Sequence, residues 1–78
     1  MANILVVEDD ENLNKIICTY LTKNNYHAHG CLNPVEAYEL LSAENYDLVI
    51  SDIMMPKING FDFARELRRD YPAIPIFL

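Results

Sequence analysis

Asp47-Leu48-Val49-Ile50-Ser51-Asp52-Ile53-Met54-Met55-Pro56 decides how the rest of the chain is read. An apolar run with β-branched residues leads up to one carboxylate, Asp52, and then to a proline. Such a run suits a strand covered on both faces, which means a parallel sheet. Pro56 has no N–H to donate, so the ladder cannot simply continue through it. Ligands of parallel α/β sheets bind outside the carboxyl ends of the strands. Asp52 therefore stands where chemistry would be done.

Working outward, residues 3–7 (Asn-Ile-Leu-Val-Val) form a second run of the same kind, ending at Glu8-Asp9-Asp10-Glu11. Leu13, Ile16, Ile17, Tyr20 and Leu21 then recur at i, i+3, i+4, i+7 and i+8. That spacing predicts a helix with one apolar stripe, with Asp10 or Glu11 favouring its positive end. Lys23-Asn24-Asn25 closes it, a cation followed by a residue type that tolerates the left-handed conformation. Residues 26–32 read as a weaker strand, suited to a sheet edge. Asn33-Pro34-Val35-Glu36 predicts a helix start, with an Asn cap, Pro at the first position and Glu placed for a capping box. Ala37, Leu40 and Leu41 supply the buried side of that helix. After the 47–51 strand, Asn59-Gly60 opens a third helix, with Phe63, Ala64 and Leu67 toward the sheet and Arg65, Arg68 and Arg69 toward water. Tyr71-Pro72 stops it, and residues 74–78 begin a fourth strand. The order is βαβαβαβ with short connections, a compact α/β unit.

Composition narrows the functional classes. The 78 residues are 51% hydrophobic and 23% charged, a globular balance for one small domain. A net charge of −6 argues against a nucleic-acid surface in this segment, and suits a divalent cation or a basic partner. No apolar run approaches the ~20 residues of a membrane span, and no signal peptide opens the chain. Cys18 and Cys31 are too far apart for a CxxC motif and read as reduced core or near-core thiols of a cytosolic protein.

Chain order also predicts a constellation. In a parallel sheet Glu8 and Asp9 follow the first strand and Asp52 ends the third, so the three can share one crevice. If those strands are neighbours, the crevice is the topological switch point. Three crowded carboxylates raise at least one pKa, and a divalent cation relieves the repulsion. Hard oxygen donors with room for water and phosphate suit Mg²⁺. An aspartate beside such a cation can attack a phosphoryl group and become an aspartyl phosphate. Glu11 and Asp10 read instead as a solvated turn and helix cap.

Four pieces in order carry a resemblance: Ile4-Leu5-Val6-Val7-Glu8-Asp9-Asp10-Glu11, the 47–56 stretch, Asn59-Gly60-Phe61, and Pro72-Ala73-Ile74-Pro75-Ile76. Together they resemble the receiver domain of two-component response regulators. The resemblance implies a flavodoxin-like (CheY-like) parallel sheet of strand order 2-1-3-4-5, of which this chain holds 2-1-3-4. Residues 1–78 would be the N-terminal part of a single receiver domain, lacking the fifth strand and the last two helices. It implies that Asp52 accepts phosphate from a sensor histidine kinase or phosphotransfer protein. It also implies that Asp9, Asp52 and the Met54 backbone carbonyl bind Mg²⁺, with Glu8 helping directly or through water. The phosphate-contacting Ser/Thr and Lys of receivers would lie beyond Leu78, so weak or absent phosphorylation of this chain alone is expected. So is self-association through exposed apolar surface. Family members often act on DNA through a downstream output domain, a cytoplasmic transcriptional role. The module is expected to be a signalling domain rather than an enzyme, at most slowly phosphorylating and dephosphorylating itself.

Rival readings are weaker. Phosphatases of the haloacid dehalogenase type need a second aspartate two residues after the nucleophile, where this chain has Met54. A self-associating α/β module with a vestigial pocket is the other alternative. His27 and His29 share one strand face but lack a third metal ligand. Tyr20, Tyr38 and Tyr46 read as packing residues. Met54 and Met55 could serve a partner surface or fill a loop, and the arginines of the third helix form a solvated face.

Overall fold

The computed structural model describes residues 1–52 and 59–78. The expectations placed on Met54, Met55 and Pro56 lie outside the described residues. In chain order the elements are β1 (Asn3–Val7), α1 (Glu11–Lys23), β2 (His27–Cys31), α2 (Pro34–Ala43), β3 (Leu48–Ser51), α3 (Gly60–Asp70) and β4 (Ile76–Phe77). The four strands are all parallel and lie in the order β2-β1-β3-β4. The weak second strand is at an edge, as its composition predicts. Val7 is in register with Cys31 on one side and Ser51 on the other, so three strands end level.

Local chemistry sets the helix ends. Asp10 caps α1, accepting from the N–H groups of Asn12 and Leu13 at 3.0 and 3.1 Å. At its far end Asn25 takes φ of 67°, the left-handed conformation for which Asn is tolerated. Asn33 caps α2 through the Glu36 N–H at 3.0 Å, and Pro34 occupies the first turn. The reciprocal arm of the capping box slips by one residue. Glu36 accepts from the N–H of Leu32, not from that of Asn33. Asn59 caps α3 through Phe61 and Asp62.

The strand expected at 74–78 is only two residues long. The Ile74 N–H is spent in a turn on the Tyr71 carbonyl at 3.1 Å, and Pro75 has no N–H to give. Pro75 still accepts from Val49 at 3.0 Å, which aligns β4 on β3.

One sheet face is closed. Leu5, Val7 and Val49 project onto Ala37 and Leu41 of α2 and Phe63 and Leu67 of α3, with Cys31 and Tyr46 completing the cluster. Tyr38 joins the two helices, its ring edge-on to Phe63 at 6.0 Å and its hydroxyl 3.2 Å from Asp70. The opposite face, with Val6, Gly30 and Ile50 in register, is met by α1, chiefly over β2.

Here the apolar stripe misleads. Such a stripe is the face a surface helix buries by default. Ile17 and Leu21 are half-buried, but Leu13, Ile16 and Tyr20 are exposed, the last two by 64% and 66%. The inward face is Asn14, Ile17, Cys18 and Leu21, a helical repeat displaced by one residue. Asn14 turns it, because its amide bonds the ends of β1 and β2. Tyr20 is consequently not a packing residue, whereas Tyr38 and Tyr46 are. Both cysteines are free, Cys31 buried and Cys18 partly so. No helix among the described residues is long and apolar enough to cross a membrane.

Candidate functional site: an acidic crevice at the strand ends

Strand order reverses between β1 and β3, so the crevice at their carboxyl ends is the switch point of the sheet. The backbone delivers carboxylates to both lips. The Glu8 N–H binds the Cys31 carbonyl at 3.0 Å, and the Asp52 N–H binds the Val7 carbonyl at 3.1 Å. Asp52 therefore leaves β3 still tied to β1, directly beside Glu8 and Asp9. Each of the three residues offers a carboxylate oxygen within 4.8 Å of the others. Among the described residues this is the single group of three or more acidic, His or Cys side chains so gathered.

Burial is graded across the group. Glu8 is 5% exposed, Asp52 half-buried and Asp9 exposed. The crowding anticipated for the three carboxylates falls on Glu8, whose pKa is pushed up to about 7. Burial is the chief cause, with the neighbouring Asp52 and Asp9 charges adding to it. A protonated Glu8 donates a hydrogen bond to Asp52, and the Asp10 N–H at 3.1 Å partly offsets the rise. Asp10 is otherwise the α1 cap and Glu11 an exposed first-turn residue, as read from the sequence.

The donor set fits a hard divalent cation: three carboxylates, graded from buried to exposed, with charges that repel in its absence. A cavity of about 200 Å³ adjoins the crevice on the α1 side, lined among others by Glu8, Ser51, Asp52, Ile17, Ile50 and Phe77.

Other candidates take no part. His27 and His29 are exposed on the edge strand, and His29 Nδ1 lies 3.2 Å from the Tyr46 hydroxyl. Arg65 pairs with Asp62 at 3.2 Å and Arg69 with Asp70 at 2.9 Å on a solvated face, where such pairs contribute little. The residue that sequence reasoning missed is Asn14, buried between the strand ends. Its one signal was a polar side chain four residues before Cys18, on the flank of the apolar stripe.

The profile of the response regulator receiver domain matches residues 4–78. The chain belongs to the response regulator receiver family. It is 36% identical over 76 residues to the probable transcriptional regulator ycf27 of Cyanidium caldarium, covering 97% of this chain and 30% of that protein. Among solved structures it resembles the response regulator TrrA of Thermotoga maritima, determined in complex with Mg²⁺–BeF, at 37% identity and a TM-score of 0.89. That match covers 97% of this chain and 66% of TrrA. TrrA bound to the histidine kinase ThkA superposes with a TM-score of 0.88 over the same shares, again at 37% identity. The chain thus spans under a third of the curated relative and about two thirds of a solved receiver. Sheet order 2-1-3-4 and the receiver fold agree with the expectation from sequence.

Proposed function

We propose that this receiver takes a phosphoryl group on Asp52 from the phosphohistidine of a sensor kinase or phosphotransfer protein, with Mg²⁺ held by Asp9, Asp52 and Glu8. The observation that carries the reading is the meeting of three carboxylates at the switch point, one of them just past the end of the central strand β3. An Asp52 carboxylate oxygen forms the new P–O bond, the P–N bond to the donor imidazole breaks, and the bonding pair leaves with the imidazole nitrogen. The bound cation supplies positive charge that offsets the phosphoryl oxygens and the three carboxylates. Asp9, the most exposed of the three, is open to solvent and to a hydrated ion. Glu8, the most buried, gives up its proton when a cation is present. The Met54 carbonyl, implied by family resemblance, is a further ligand in this proposal.

The partners follow by the same reasoning. TrrA is bound to a histidine kinase, and the curated relative is a transcriptional regulator, so a kinase upstream and an output domain acting on DNA downstream complete the proposed cytoplasmic relay. A role in signalling rather than in metabolic catalysis is part of this reading. Self-association has a surface in exposed Leu13, Ile16, Tyr20 and Phe77. Light scattering at micromolar concentration tests it, and a monomer overturns it.

The acceptor role is tested with phosphoramidate and Mg²⁺, followed by intact-mass measurement. Wild type gains one phosphoryl group, however low the yield, and Asp52→Asn gains none. Equal modification of wild type and Asp52→Asn overturns the acceptor role.

A further inference from the structure

Asn14 has more structure built around it than its place on a surface helix requires. It is 7% exposed, the buried residue of α1. Its Nδ2 donates to the Glu8 carbonyl at 3.0 Å and to the Cys31 carbonyl at 2.8 Å. Its Oδ1 accepts from the Cys18 thiol at 3.4 Å. The Cys31 carbonyl also receives the Glu8 N–H at 3.0 Å. Both backbone polar groups of Glu8 are thus anchored at one place, the N–H on Cys31 directly and the carbonyl through the Asn14 amide.

The orientation of that amide is determined by its neighbours. Turned over, its oxygen would oppose two carbonyl oxygens. Gly30 makes room for it: a Cβ there would overlap Asn14 Oδ1 and lie 3.1 Å from Cys18 Sγ. A buried amide is costly unless its donors and acceptor are used, and here the groups that use them flank the acidic crevice.

We infer that Asn14 is a positioning residue for the cation site. By fixing the Glu8 main chain on Cys31, it holds the Glu8 carboxylate against Asp9 and Asp52. This rests on the reading of the crevice as a divalent-cation site. Leucine at this position fills a similar volume but donates nothing, so the Glu8 carbonyl is released and the carboxylate loses its fixed place. Partners that orient a metal ligand from outside the coordination sphere typically change affinity by ~10–100-fold when removed, and about 10-fold is expected here.

The test is a Mg²⁺ titration followed by NMR on wild type, Asn14→Leu, Asn14→Ser and Asp52→Asn, with the metal-free carbonyl ¹³C shifts of Glu8 and Cys31 recorded alongside. The expected result is saturation in wild type and affinity weaker by about 10-fold in folded Asn14→Leu. Both carbonyl shifts move in that variant, and Asn14→Ser, which keeps one donor, falls between. Moved carbonyl shifts with wild-type affinity overturn the inference, as does a loss no larger than the unfolded fraction measured by urea titration. If Asn14→Leu does not fold, Asn14→Ser decides, and wild-type affinity there overturns it. Failure of the underlying site looks different: wild type shows no saturable Mg²⁺ response and Asp52→Asn matches it, which overturns the cation site and the role of Asn14 together.

Discussion

Leu67 and Ile16 are side chains of one kind on helices that cover opposite faces of the same sheet. Leu67 on α3 is 1% exposed, and Ile16 on α1 is 64% exposed. The α2–α3 face is closed by interlocking apolar side chains, whereas the α1 face is held by a hydrogen-bonded amide at the strand ends. The difference shows two ways of seating a helix. Apolar packing rotates a helix until its stripe is covered, and a buried polar anchor rotates it until the anchor is satisfied. On α1 the anchor wins, because an unsatisfied buried amide costs ~1–3 kcal/mol while partial exposure of a few apolar side chains is ordinary.

The sharpest way to break this comparison is to truncate both residues. Leu67→Ala is expected to cost about 3–4 kcal/mol of stability in urea unfolding, from lost transfer energy and a residual cavity. Ile16→Ala is expected to stay within about 0.5 kcal/mol of wild type, as a surface substitution. Equal costs would mean that α1 is seated by its stripe after all.

A slightly smaller effect separates the acidic rim from both faces. The Glu8 pKa in the folded chain is about 7 against an ordinary value of 4.5, so folding favours the protonated carboxyl. That stability is fully present below about pH 4.5 and is lost as pH rises through 7. In EDTA the loss across this window is expected to be on the order of 3 kcal/mol at most, and Glu8→Gln is expected to flatten it. A pH-independent difference between Glu8→Gln and wild type would count against a buried, protonated Glu8.

A smaller effect probes the closed face at its entrance. Asn33→Ala removes the side-chain cap of α2 and is expected to cost about 1 kcal/mol, read as a shift of the urea midpoint. A change near zero would show that the Glu36 bond to the Leu32 N–H carries the cap alone.

Much of the molecule was legible from residue order. The apolar runs ending in Glu8 and Asp52 identified two parallel strands, since strands buried on both faces read as continuous apolar segments. Asp10, Asn33 and Asn59 announced their helices because an Asx side chain can bond an orphan N–H one turn on. Phe63, Ala64 and Leu67 proclaimed the inward face of α3, a helix whose polar residues are all solvated. The grouping of Glu8, Asp9 and Asp52 followed as well, since parallel strands place all their carboxyl ends on one side.

Tertiary structure alone decided the rest. Periodicity gave α1 a stripe but not a rotation. The rotation depends on Asn14 reaching two carbonyls that belong to other elements, and on Gly30 leaving space for it. It also set the unequal state of the three acids. They look alike in sequence, but only the fold places Glu8 under cover and Asp9 in water, and burial more than charge raises one pKa. Sequence determined which residues could meet because local pattern fixes strands, caps and direction. The fold determined how they meet, because burial and hydrogen-bond partners belong to the assembled sheet.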